Sequence, residues 1–289
     1  MNLFVFGLGF TARHFAIREA HRFETVRATV TDQARAEAVE SETAFRMRSF
    51  GPEADDPRIA VDLADTDVLL VSAPPDRGGD TVLRRYRDAI AASRITWIGY
   101  LSTIGVYGDH GGAWIDEGTE PRPKSGRSRG RLAVEEAWLE LGREGGKAVQ
   151  VFRLSGIYGP GRNPLVKLRE GKSQRIIKAG QVFNRIHVDD IATTLSASVE
   201  RPRPGAVYNV TDDEPTPPQV VIEHAASLAG LPLPPEVDFE TADLSPMARS
   251  FYGENKRVRN RLIREELGVE LAYPTYREGL AALLPDTSG

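Results

Sequence analysis

The sequence predicts a doubly wound α/β fold, a parallel sheet with helices on both faces, followed after about residue 160 by a smaller cap. Three observations carry this. Short runs rich in Val, Ile and Phe recur at 3–6, 26–30, 44–47, 68–71, 95–101 and 149–154, apolar on both faces as buried parallel strands must be. Helical patterns lie between them, with one apolar stripe of Ala12, Phe15, Ala16 and Ala20 and another of Val134, Ala137, Trp138 and Leu141. Beyond residue 160 the texture turns to Gly, Pro and charge, and RPRPGA, DDEPTPPQ and GLPLPP read as loops.

The first strand runs into GLGFTA, which sets Gly7, Leu8, Gly9, Phe10, Thr11 and Ala12 between a strand and an amphipathic helix. Such a turn lets the main chain approach a diphosphate, whose charge the free N–H groups of the helix N-terminus satisfy. A dinucleotide is therefore the expected ligand. The second strand ends at Thr31 and Asp32, where an acidic residue binds ribose hydroxyls and a basic one a 2′-phosphate. Asp32 argues for NAD, Thr31 and Arg35 for NADP, and Asp32 also fits a helix cap, so the cofactor is NAD(P). The strand at 68–71 ends in Ser72, Ala73, Pro74 and Pro75, small and rigid residues suited either to contact with a flat cofactor or to ending a strand.

At 289 residues, 40% hydrophobic and 27% charged, the chain has material for a large core. Its net charge of −4 argues against a nucleic-acid partner and for a small-molecule one. Without cysteine there is no disulfide or thiolate chemistry, which suits a cytoplasmic setting. The five histidines lack paired spacing, so no metal is expected. No stretch has the length of a membrane span.

YLSTIGVYG, WIDEGTEPRP, RLAVEE, RLSGIYGPGRNPL, NRIHVDDIA and AVYNVTDDEP follow one another in an order and spacing that resemble the extended short-chain dehydrogenase/reductase family, the group of nucleotide-sugar epimerases and dehydratases. The resemblance runs from residue 3 to about 215. It implies a Rossmann domain over 1–160 plus 183–211, a substrate cap over 161–182 plus 212–289, a substrate that is a nucleotide sugar or another hydroxyl or carbonyl compound, and a homodimer in which Trp138 serves either the interface or the core. It also implies catalysis by a Ser/Thr with a Tyr-x-x-x-Lys pair, the tyrosine exchanging a hydroxyl proton while hydride moves at the nicotinamide.

Thr103 matches the Ser/Thr position, but Arg127 stands at the tyrosine and Arg131 at the lysine. A guanidinium stays protonated, so Arg127 is no general base; Arg131 retains the means to hold a ribose. Arg122, Lys124, Arg127, Arg129 and Arg131 also fit a solvated loop. Tyr107, Tyr158, His187, Asp116 and Glu117 are the other candidates for proton transfer, each with a structural alternative: a loop brace for the tyrosines, a solvated loop for the carboxylates, and a strand leading to a helix capped by Asp189 or Asp190 for the histidine. Arg162 and Asn163, with Tyr107, are the expected substrate contacts. Two readings follow: an atypical NAD(P)-dependent oxidoreductase or epimerase-like enzyme, or a dinucleotide-binding sensor that has lost hydride chemistry.

Overall fold

The computed structural model describes residues 1–284. In chain order the first half runs β1 (Asn2–Phe6), α1 (Phe10–Arg18), β2 (Thr25–Val30), α2 (Gln33–Glu42), β3 (Arg46–Ser49), α3 (Arg58–Ala64), β4 (Val68–Val71), α4 (Thr81–Ala92), β5 (Trp97–Thr103), a 3₁₀ turn (Ile104–Tyr107), β6 (Trp114–Ile115), α5 (Gly126–Gly145) and β7 (Ala148–Leu154). The second half runs β8 (Gly156–Tyr158), α6 (Pro164–Arg169), β9 (Arg175–Ile177), β10 (Arg185–His187), α7 (Val188–Glu200), β11 (Val207–Val210), α8 (Pro218–Ala229), β12 (Glu236–Asp238), α9 (Pro246–Tyr252), β13 (Arg257–Val258), α10 (Arg261–Glu265) and α11 (Tyr276–Ala282).

Seven strands form one parallel sheet in the order β11-β7-β5-β4-β1-β2-β3, the doubly wound α/β arrangement expected from the apolar runs. Alternation within the strands explains the two cores. Leu3 and Val5 belong to one core, with Ala12, Phe15, Val39, Leu195 and Ile263 of α1, α2, α7 and α10; Phe4 and Phe6 belong to the other, with Leu63, Ile90 and Trp138 of α3, α4 and α5. Trp138 is fully buried and its indole N–H donates to Asp80 Oδ2 at 3.1 Å, which makes it a core residue. Ala20, expected to extend the first helical stripe, falls in a 3₁₀ turn beyond the end of α1.

The chain winds one way from β1 to β3 and the other way from β4 to β11, so the switch point lies between β1 and β4. Ligands of such sheets bind outside the carboxyl ends of the strands at that crevice. Past β7 the short pairs β8–β10 and β9–β12 and the helices α6, α8, α9 and α11 gather beyond this edge. The segment around α10 returns to the sheet, where it packs on β11 and Ile263, Leu267 and Val269 join the core that holds Leu3 and Val5, while β13 pairs with β6. Among the described residues no helix is long and apolar enough to cross a membrane, and no group of three or more His, Asp or Glu is placed to hold a metal.

Candidate functional site

Gly7 follows β1 with φ of +83°, and a Cβ there would meet the Ala73 nitrogen at 2.8 Å. Only glycine serves on both counts. The turn is held by main-chain bonds from Leu8 N to Thr29 O and Gly9 N to Gly7 O, both 2.8 Å, and by Gly7 N donating to Thr29 Oγ1 at 2.8 Å. Ser72 and Ala73 close the facing wall, both donating to Phe6 O. Gly9 is different: its backbone is extended, which any residue adopts, and a Cβ there would meet nothing within 4 Å. It opens onto free space at the start of α1, whose N-cap carries no side-chain bond. Those uncapped N–H groups and that space fit a diphosphate. Ala12 is buried against the sheet, as its packing role requires. At the end of β2, Asp32 caps α2 by accepting from Arg35 N at 2.9 Å, and Thr31 Oγ1 donates to its other oxygen at 3.2 Å.

Thr103 ends β5, and its Oγ1 accepts from Gly105 N at 3.1 Å, leaving the hydroxyl proton free to donate. The arginine-rich stretch is part loop and part helix: Arg122 and Lys124 lie in an exposed loop, and Ser125 then caps α5 by accepting from Ser128 N at 3.0 Å, so Arg127, Arg129 and Arg131 lie in its first turns. Arg131 is fixed, its Nη1 donating to the Tyr100 hydroxyl at 3.0 Å and to Leu101 O at 3.3 Å. Arg127 is exposed and touches only the Met247 sulfur, at 3.9 Å.

A cavity of about 900 Å³ brings Thr11 and Ser72 of the dinucleotide crevice together with Thr103, Arg127 and Arg131, and continues to Arg162 and Asn163. Asn163 caps α6 through Val166 N at 3.1 Å, and Arg162 lies over the Phe10 ring at 5.5 Å. Tyr107, expected among the substrate contacts, does not reach it. Its ring is fully buried under the Arg153 guanidinium and its hydroxyl donates to Asn209 Oδ1 at 2.9 Å, so it braces the turn after β5. Glu117 accepts from Asn209 N at 2.9 Å, and Asp116 closes its own loop on Gly118 N at 3.1 Å. Tyr158 lines the cavity with its hydroxyl facing Thr275 O at 3.5 Å, and burial pushes its phenol well above the usual range. Other polar residues of the cavity, among them Arg185, Lys256 and Tyr276, carried no individual signal in the sequence, because they come from segments that only the fold brings to this wall.

His187 is itself the cap of α7, its Nδ1 accepting from Asp189 N at 3.2 Å, while Asp190 instead receives the main-chain N–H groups of Ala272 and Tyr273. Burial pulls the imidazole pKa down to about 4, so the folded protein keeps it neutral. Below about pH 6.5 the unfolded chain takes up a proton that the folded one refuses, so stability is lost as pH falls from there to about 4. The loss reaches on the order of 3 kcal/mol. His187→Asn retains a capping acceptor and is expected to flatten this acid limb, which denaturant titrations of both proteins between pH 4 and 7 measure; parallel profiles would contradict it.

No family model matches the chain. Protein YeeZ of Escherichia coli strain K12 is 30% identical over 219 residues, 73% of each protein. Among solved structures, a conserved protein of unknown function from Silicibacter pomeroyi DSS is 51% identical, with a TM-score of 0.90 over 99% of this chain and 98% of that one. A UDP-glucuronic acid 4-epimerase from Bacillus cereus, solved in complex with NAD, gives a TM-score of 0.80 over 99% of this chain and 96% of its own. At 16% identity the latter likeness is one of fold.

Proposed function

We propose that this chain, which belongs to the same family as protein YeeZ of Escherichia coli, is an atypical member of the extended short-chain dehydrogenase/reductase group and an NAD(P)-dependent oxidoreductase or epimerase-like enzyme acting on a small molecule. The observation that carries the reading is the contrast between the two glycines of the opening turn. Gly7 is closed against Ala73, whereas Gly9 faces open space beside uncapped N–H groups at the start of α1.

In this reading the turn from Gly7 to Ala12 holds the diphosphate, Thr31 and Asp32 face the adenosine ribose, Ser72, Ala73 and Pro74 flank the flat rings, and Arg131 holds the nicotinamide ribose. Bound dinucleotide supplies the hydride acceptor or donor. Thr103 hydrogen-bonds the substrate oxygen through its free hydroxyl proton. Arg127 stays cationic and stabilises negative charge on that oxygen in place of a phenol that would exchange its proton, and the proton that accompanies hydride transfer is exchanged with solvent. In this reading residues 1–160 and 183–211 form the dinucleotide domain and 161–182 with 212–289 the cap, except that Ile263, Leu267 and Val269 pack into the core of the sheet; residues 285–289 lie outside the described residues.

A sensor reading has one observation in its favour, namely that both usual proton-transfer positions carry guanidinium groups. Calorimetry with NAD, NADH, NADP and NADPH, followed by absorbance screens of the reduced nicotinamide against sugar nucleotides and small carbonyls, separates the two. Binding with turnover supports the enzyme and saturable binding alone the sensor; no binding overturns both. Arg131→Ala is expected to weaken the dinucleotide about tenfold, the loss of one charge-assisted bond.

A further inference from the structure

Arg131 lies one helical turn before Glu135 on α5. Residues four apart on a helix are separated by a rise of about 6 Å, and alternate residues of a strand lie about 6.7 Å apart on one face. The two spacings match where α5 packs on β5. Tyr100 accepts from Arg131 Nη1 at 3.0 Å, and Ser102, two residues further on, donates to Glu135. Helix and strand are thus joined by two polar rungs. The second is backed by the buried Glu135–Arg153 pair, whereas the first opens onto the cavity.

Arg131 is partly buried and lines that cavity. Its Nη1 also donates to Leu101 O at 3.3 Å, and its guanidinium carbon sits 5.8 Å from the centre of the Tyr100 ring. Nε and Nη2 have no partner among the described residues. The two nearby acids are engaged elsewhere: Glu135 is held by Arg153 and Ser102, and Asp80 accepts from Leu83 N at 2.9 Å and from Trp138 Nε1 at 3.1 Å. Tyr100 is fully buried and stacked on Trp138 with ring centres 6.3 Å apart, so no ligand touches it and its phenol is a fixed post. A free arginine side chain is rich in rotamers, and ordering it on binding subtracts from affinity. Held by the post, the fork has its free edge already aimed.

On the reading of Arg131 as the residue that holds the nicotinamide ribose, we propose that Tyr100 is a positioning residue for the dinucleotide: its hydroxyl sets the plane of the Arg131 guanidinium so that Nε and Nη2 meet that ribose. A tyrosine from the strand and an arginine from the helix then share the task of the lysine that the helix lacks.

The test is a double-mutant cycle on the full chain, read by calorimetry with the tighter-binding of NAD and NADP and, separately, with ADP, which has the adenosine and diphosphate but no nicotinamide ribose. Tyr100→Phe keeps the ring and removes the post. It is expected to weaken the dinucleotide roughly three- to fivefold, against about tenfold for Arg131→Ala, with ADP affinity unchanged in both. Because the tyrosine acts only through the arginine, adding Tyr100→Phe to Arg131→Ala is expected to cost nothing more. Tyr100→Met, which also lacks the hydroxyl, repeats the cycle should the phenylalanine variant not fold. A merely structural tyrosine gives the same loss in both backgrounds or weakens ADP as well, and either result overturns the proposal. Parental dinucleotide affinity in Tyr100→Phe, with Arg131→Ala weakened, sinks this proposal alone. Parental affinity in Arg131→Ala sinks the arginine's assigned role and this proposal with it, and a parent protein that binds neither NAD nor NADP sinks the whole reading.

Discussion

Gly9→Val is expected to fold like the parent and to bind NAD(P) at least 100-fold more weakly. Gly9 is the N-cap of α1 in extended backbone, and its added side chain would point into unfilled space, so the fold meets no clash. Loss of a preferred capping residue costs about 1 kcal/mol, a few degrees in melting temperature for a chain of this size. The same side chain would occupy the volume a diphosphate needs against the helix N-terminus, and steric exclusion there has no cheap remedy. Gly7→Ala is the contrasting variant. A positive φ costs on the order of 1 kcal/mol and the contact with Ala73 adds a few more through overpacking, so stability and binding fall together. Calorimetry and thermal unfolding on the two variants give this pattern or refute it: a Gly9→Val protein with parental NAD(P) affinity would show that the turn is only a turn.

The second large effect lies beneath the arginine-bearing helix. Glu135 on α5 is 1% exposed and accepts from Arg153 of β7 at 2.7 Å, while Ser102 of β5 donates to its other oxygen. Arg153 in turn stacks over Tyr107 at 4.8 Å. Glu135→Gln leaves the arginine's charge buried and uncompensated, at about 3–5 kcal/mol, and should lower the melting temperature by on the order of 10 °C. Replacing both partners with methionine removes the charge along with its counter-charge and is expected to recover most of the loss. A Glu135→Gln protein as stable as its parent would mean that the pair is not what pins α5. Because α5 carries Arg127 and Arg131, the variant also tests how far their placement depends on this anchor.

The parts of the fold visible in the sequence are those set by local periodicity. The apolar runs located six of the seven sheet strands, although the third lies at Arg46–Ser49 rather than 44–47. The seventh, Val207–Val210, is not legible as a strand, because four residues between proline-rich loops give too short a period to read. The glycine turn was legible because strand, Gly and helix are contiguous in sequence. Arg185 and Tyr276 were not, because they lie far apart in the chain and become neighbours only when β10 and α11 pack together. Tyr107 misled for the opposite reason: its place in the VYG turn marks the edge of the sheet, but the side chain's direction is decided by Arg153 and Asn209, residues remote in sequence.

The return of Ile263, Leu267 and Val269 to the sheet has a bearing on how this molecule can be dissected. A fragment cut after β11 would keep the whole Rossmann strand set yet expose the oily patch those three side chains cover, and it should clump or stay partly molten. Swapping lids between relatives would succeed only if the junctions left the stretch from Arg257 to Val269 with the strands it covers.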